Sequence, residues 1–287
     1  MPARLTSTRF VGRQGELAEL ELACSEAEAG RPGVILLGGD SGVGKTRLIA
    51  ELEATVSERM EILHGESPEQ GDGELVYAPL VGALRPLVRA QAPVLERLSP
   101  GSRARLAALL PSLSPAGARP AEPVNSDTAQ IQLFESLLEL LELISRERPL
   151  LLALEDIHWA DRATRAFIAF TARSLRTERV LLLVSYRSDE LHRRHPLRPL
   201  LAELDRLNRA RRLELQPFDS DELAEALADI LGTAPEQKLL ARLLERTDGN
   251  PLFAEELLAA GLDGRSAAPQ SLNDAFMLRV ERLAPAA

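Results

Sequence analysis

The chain has 287 residues, 45% of them hydrophobic and 27% charged, and only 3% are aromatic. That length holds one large domain and a smaller one, with a core of Leu, Val, Ile and Ala in place of rings. The net charge of −9 argues against a surface that grips a nucleic-acid backbone by itself, and a single cysteine, Cys24, excludes an internal disulfide and points to a reducing compartment.

Residues 1–10 lack the apolar core of a signal peptide, and no aliphatic run exceeds strand length, so a cytoplasmic protein without membrane contact is expected. Cys24, among Leu22, Ala23 and Ala27, reads as a small buried hydrophobe of a first helix. Val34 to Leu37 is a short apolar run ending in Gly38-Gly39, which predicts a buried strand entering a tight loop. A helix opens at Gly44 and carries Leu48, Ile49 and Leu52 at helical spacing. Ile62 to Gly65 predicts a second strand, and residues 66–78 a loop. Residues 79–124 predict short helices broken by Pro86, Pro93, Pro100, Pro111, Pro115, Pro120 and Pro123. The stretch from Ser112 to Asn125 is expected to be the most mobile internal segment.

Ser126 or Asp127 caps a long helix whose apolar face is Ile131, Phe134, Leu137, Leu138, Leu141 and Ile144. Leu150 to Leu154 and Val180 to Val184 are further buried strands, separated by a helix over 162–175. Arg193, Arg194 and Arg198 read as a solvated basic face. Leu213 to Leu215 predicts a last strand. This alternation implies an α/β fold with a parallel sheet covered by helices on both faces. After Pro217 only helical patterns remain, over 235–246, 251–260 and 272–283, with Asp219 or Ser220 capping the first and Glu222 near its start. The reading divides the chain into a core over 1–215 and a smaller all-helical domain over 216–287. The end of the sequence just past a helical pattern points to a longer protein.

Gly39-Asp40-Ser41-Gly42-Val43-Gly44-Lys45-Thr46 matches G-x-x-x-x-G-K-[ST] without a gap. Glycines let the backbone curl so that several N–H groups face phosphate oxygens, and the following helix adds its positive end. Lys45 reaches the β- and γ-phosphates as a point charge, the Thr46 hydroxyl is suited to Mg²⁺, and Arg47 follows on the same turn. The chain has two lysines, Lys45 and Lys238, against 32 arginines. A chain that uses arginine almost everywhere has lysine where this loop wants it.

Leu150 to Leu154 followed by Glu155-Asp156 has the form of a buried strand presenting two carboxylates at its end. One acid holds Mg²⁺, partly through water, and the other orients the attacking water; spacing leaves open which does which, because Glu155 stands where Asp is usual. Arg187, just past the 180–184 strand, is placed to sense a γ-phosphate, since ligands sit outside the carboxyl ends of parallel strands. His64, His192 and His195 show no metal-ligand pattern.

Four segments together resemble one family. Phe10-Val11-Gly12-Arg13-Gln14-Gly15-Glu16-Leu17 is similar to the opening motif of AAA+-related STAND ATPases. Leu154-Glu155-Asp156-Ile157-His158-Trp159-Ala160-Asp161 resembles their extended acidic strand, Leu183-Val184-Ser185-Tyr186-Arg187 their sensor strand, and Gly249-Asn250-Pro251-Leu252-Phe253 the Gly-x-Pro signature of their helical lid. The nearest match is the N-terminal ATPase module of large ATP-binding LuxR-type transcriptional regulators. The resemblance spans about residues 8–283.

The resemblance implies a P-loop NTPase sheet with the sensor strand between the other two, ATP or ADP as ligand, and Mg²⁺. It implies Phe10, Val11, Gly12 and Arg13 on the adenine side and Pro251 packing on the nucleotide. It implies an effector or DNA-binding region outside this sequence, no direct nucleic-acid contact from this segment, and raises self-association. Trp159 and His158 would pack and position the acidic strand end. The readings to weigh are a slowly hydrolysing signal-transduction switch, an origin-recognition-like AAA+ ATPase acting on DNA, a metabolic P-loop kinase, and a non-hydrolysing scaffold. The net charge, the lack of a winged-helix pattern and the Trp159-Ala160-Asp161 tail favour the switch.

Overall fold

The computed structural model describes residues 6–69, 76–114, 127–207 and 210–262. The expected loop tip at 70–75, most of the 112–125 segment, the Ser126 cap and the 272–283 helix lie outside the described residues. Along the chain run α1 (Gln14–Glu28), β1 (Gly33–Gly39), α2 (Lys45–Val56), β2 (Glu61–Glu66), α3 (Ala78–Arg89), α4 (Pro100–Leu106), α5 (Asp127–Glu147), β3 (Leu150–Glu155), α6 (Arg162–Ser174), β4 (Val180–Ser185), α7 (Arg198–Leu204), β5 (Ala210–Leu215), α8 (Ser220–Leu231), α9 (Gln237–Thr247) and α10 (Pro251–Leu262). They divide into two compact units: the described residues of 15–39 and 49–214, and those of 1–14, 40–48 and 215–287.

The first unit is built on a five-stranded sheet in the order β2-β3-β4-β1-β5. β1, β4, β3 and β2 pair in parallel, with Leu37 opposite Ser185, Leu154 opposite Val184 and Glu66 opposite Glu155. Every residue of β3 and β4 is buried. This is why both strands read as unbroken apolar runs: helices cover both faces. α5 contributes Leu133, Phe134, Leu137, Leu140 and Leu141 to the core, where the Phe134 ring meets Phe167 at 5.5 Å and Phe170 at 5.4 Å.

Two expectations are corrected here. Ile131 is 54% exposed. The first residues of α5, from Asp127 to Ile131, are exposed or half-exposed, and full burial starts only at Leu133. Pro86 lies inside α3 without ending it. An interior proline costs about 3 kcal/mol, but burying Leu80 and Leu84 contributes about 1.5–3 kcal/mol each, so the helix persists. Pro93, Pro100 and Pro111 each open a new helical turn, so the segment runs as short pieces parted at these prolines, as expected. A missing N–H is harmless at that position. Cys24 is fully buried, as its neighbours indicated, and burial pushes its thiol up to about 12.

The second unit has a small core of Leu223, Leu227, Leu243, Ala254 and Leu258 from α8, α9 and α10. Asp219 caps α8 with a reciprocal box: its side chain accepts from Asp221 and Glu222 N–H groups, and Glu222 accepts from the Asp219 N–H. Among the described residues, no helix is long and apolar enough to cross a membrane.

Candidate functional site

The loop that follows β1 belongs to the second unit and is shaped by its backbone. Gly42 has φ 80°, a conformation that side chains resist. A Cβ there would stand 2.8 Å from Leu252 Cβ and 3.0 Å from Asn250 Oδ1. The Lys45 side chain is buried to 7% exposure and its Nζ donates to the Asp40 carbonyl at 2.9 Å, so the loop closes around its own lysine. Val43 is buried and Thr46 exposed. The α2 helix starts at Lys45, with Leu48 N–H donating back to the Gly44 carbonyl at 3.0 Å.

The Gly249-Asn250-Pro251 segment meets this loop. Asn250 Nδ2 donates to the Ser41 carbonyl at 2.8 Å, while its Oδ1 accepts from Leu252 N–H at 3.1 Å and caps α10. Gly249 has φ 77°, its carbonyl accepts from the Phe218 N–H at 2.9 Å, and a Cβ on it would collide with the Phe218 carbonyl. Only glycine suits that spot. Sequence reading singled out Pro251 here; Asn250 makes the contact to the loop.

The N-terminal residues are strapped across the same unit. Arg47 donates to the Ser7 carbonyl at 3.3 Å and the Thr8 carbonyl at 3.0 Å. Asp229 of α8 accepts from the Thr8 N–H at 2.8 Å, the Ser7 hydroxyl at 2.9 Å and the Arg9 N–H at 3.3 Å. These donors, the Ser7 hydroxyl first, hold the Asp229 carboxyl below its ordinary range. Gly12 and Arg13 both have φ 63°. The Arg13 guanidinium lies 5.0 Å from the Phe218 ring centroid and donates to the Gln216 carbonyl. Val11 is buried and Phe10 half-buried. Arg13 and Arg47, both expected at the nucleotide, therefore have protein partners that tie residues 7–13 to the helical unit.

In the first unit, the carboxyl ends of β3 and β4 bring two expected residues, Asp156 and Arg187, together. The Asp156 N–H donates to the Ser185 hydroxyl at 3.2 Å and the Ile157 N–H to the Ser185 carbonyl at 2.9 Å. Asp156 is left-handed, φ 54°, a conformation that Asp tolerates better than most side chains. Its Oδ1 stands 3.8 Å from Arg187 Nε. Beyond β4, Tyr186 N–H donates to the Leu37 carbonyl at 3.0 Å and Ser188 N–H to the Gly39 carbonyl at 3.2 Å. Arg187 thus runs beside the two glycines that end β1.

Glu155 is almost fully buried, and its Oε1 lies 3.2 Å from His64 Nε2. His64 Nδ1 is 2.6 Å from Glu53 of α2. Hydrogen bonds to Glu155 and then Glu53 raise His64 to about 10, so the ring is cationic at neutral pH. Sequence reading passed over His64. The only signal was register: Glu66 is the partner of Glu155, and His64, two residues earlier, shares its face. His158 is buried against Trp159, ring centroids 4.5 Å apart, which fits the packing role expected of both. Asp161 caps α6, accepting from Ala163 N–H at 2.8 Å, and also accepts from Tyr77 N–H at 3.0 Å. Among the described residues no three His, Cys, Asp or Glu side chains gather as a metal cluster.

Comparisons with known proteins agree with this fold. The chain is 28% identical to an uncharacterized protein of Rhizobium meliloti (strain 1021), over 86% of this chain and 24% of that one, so it spans about a quarter of that relative. A Signal Transduction ATPase with Numerous Domains (STAND) protein with a tetratricopeptide repeat sensor, from Pyrococcus horikoshii, aligns over 99% of this chain and 34% of its own at TM-score 0.52 and 16% identity. Cdc6p from Pyrobaculum aerophilum aligns over 93% and 66% at TM-score 0.51 and 15% identity. Residues 9–184, more than half of the sequence, match the AAA ATPase domain model, and the chain belongs to that family.

Proposed function

We propose that this chain is an ATP- and Mg²⁺-binding switch module that hydrolyses ATP slowly and signals through the rest of a longer protein. The observation that carries the reading is the joint construction of loop and helices: the Ser41 carbonyl is held by Asn250 and Gly42 abuts Leu252. A loop shaped to take phosphates and fastened to the start of a helix is suited to convert occupancy into helix position.

In this reading the backbone of 39–44 and Lys45 bind the phosphates, with the nucleotide's adenine toward Phe10 to Arg13 and Pro251. Glu155, Asp156 and Arg187 are read as acting on the same nucleotide, as the four motifs imply. Mg²⁺ keeps several waters and takes few protein ligands besides phosphate; the Thr46 hydroxyl and the two carboxylates fit that donor set. Asp156 orients the attacking water, while Glu155 lies against His64 of β2. Moving a population from 1:99 to 99:1 needs about 5.5 kcal/mol of preference for one state, for which Arg187 and the metal ligands are the source. The LuxR-type regulator assignment rests on the four motifs. The Cdc6p and STAND likenesses are equal in strength and favour neither partner class, whereas the net charge of −9 speaks for the switch over a DNA loader.

The test is calorimetric titration of ATP with and without Mg²⁺. Lys45→Ala is expected to weaken binding by roughly two orders of magnitude, the loss of a charge-assisted contact. Equal affinity in both proteins sinks the assignment.

A further inference from the structure

Arg187 already has a set of partners. Its guanidinium carbon lies 4.4 Å from the centroid of the Trp159 ring. Nη1 donates to Glu190 Oε1 at 2.6 Å. The second oxygen of Glu190 lies 3.4 Å from His158 Nε2, and the buried His158 ring packs on Trp159 at a 45° tilt. Arg187 and Glu190 are three residues apart on one turn, so their pair forms locally.

The two contacts differ in kind. A guanidinium has two flat faces and a planar fork of five N–H donors. Trp159 takes a face and leaves the in-plane donors to other acceptors. Glu190 takes an in-plane donor, which is what a phosphate oxygen also requires.

We infer that Trp159 and Glu190 form a berth for Arg187. Trp159 is a platform that holds the guanidinium in every nucleotide state. Glu190 is a competing anion that a γ-phosphate displaces, and it lowers the preference of the site for triphosphate over diphosphate. Both are positioning residues. The berth rests on the reading that Arg187 meets the γ-phosphate.

Trp159 is the chain's single tryptophan, so its emission reports this site alone. The experiment titrates the wild-type chain, Glu190→Gln and Trp159→Phe with Mg²⁺-ADP and with the Mg²⁺ complex of a non-hydrolysable β,γ-imido ATP, by calorimetry for all three and by Trp159 emission for the two that keep the tryptophan. In the wild type, emission shifts with the triphosphate analogue and stays unchanged with ADP. Glu190→Gln raises the triphosphate-to-diphosphate affinity ratio about threefold, the scale of a partly exposed ion pair, with ADP affinity unaltered. Trp159→Phe lowers the same ratio. If both nucleotides bind in a Lys45-dependent way but Glu190→Gln leaves the ratio unchanged, the berth is wrong and the nucleotide reading stands. If neither nucleotide binds the wild type, both fall.

Discussion

The phosphate loop and the ends of β3 and β4 are two ways of making a site. The loop is made of main chain: left-handed glycine, a lysine folded onto a carbonyl five residues back, and a carbonyl held by Asn250. The strand ends are made of side chains from separate elements: Glu155 with His64 and Glu53, Asp156 with Arg187, Arg187 with Trp159 and Glu190. A main-chain site depends on conformation, so a single methyl group damages it. A side-chain site depends on charge and reach, so an isosteric exchange that alters charge damages it.

That contrast can be broken at three places. The largest effect is expected at Asp156→Asn, which should bind ATP within about twofold of wild type while hydrolysing it about a hundredfold more slowly, the scale of a lost general base. Unchanged turnover in a phosphate-release assay would move the role to Glu155. Next is Gly42→Ala, which adds one methyl at φ 80° against Leu252. Strain of 1–3 kcal/mol is the usual scale for such a residue, so ATP affinity should fall by about tenfold. An alanine variant with native affinity would mean that the loop is not conformationally constrained.

The smallest effect concerns His64→Gln. His64 is raised from 6.5 to about 10 in the folded chain. A raised cation stabilises fully below its unfolded value and loses that contribution as pH rises toward and through the folded value. The side chain is more than a third exposed, so screening keeps the contribution small. The variant should melt about 2 °C below wild type at pH 6, with the gap shrinking above neutrality and closing by pH 10.5. A gap that persists at pH 10.5 in thermal unfolding would show that packing, not charge, is what His64 supplies.

The same division explains what could be read in advance. The strands were legible because β3 and β4 are buried on both faces and carry nothing but apolar residues before their ends. The phosphate loop was legible because its parts are consecutive. Asp219 was legible as a cap because a capping box is local. His64 and the Asn250 contact were not, since each depends on which elements the fold makes neighbours. Arg13 and Arg47 were placed at the nucleotide by motif, yet their guanidiniums hold carbonyls of Gln216 and of Ser7 and Thr8. Ile131 fits the helical period of α5 but lies in a turn that the core does not reach. Periodicity reports direction around a helix and says nothing of where cover begins along it.

Asn250 commits both ends of one flat amide, the oxygen to the first turn of α10 and the nitrogen to the Ser41 carbonyl. A planar group cannot move one end without the other, so it works as a gear tooth between loop and helix. α10 has 12 residues, about 18 Å at 1.5 Å per residue. Pivoting that rod by about 5° at its anchored end swings the opposite end by roughly 1.5 Å, an amplification that needs no rearrangement inside the helix itself.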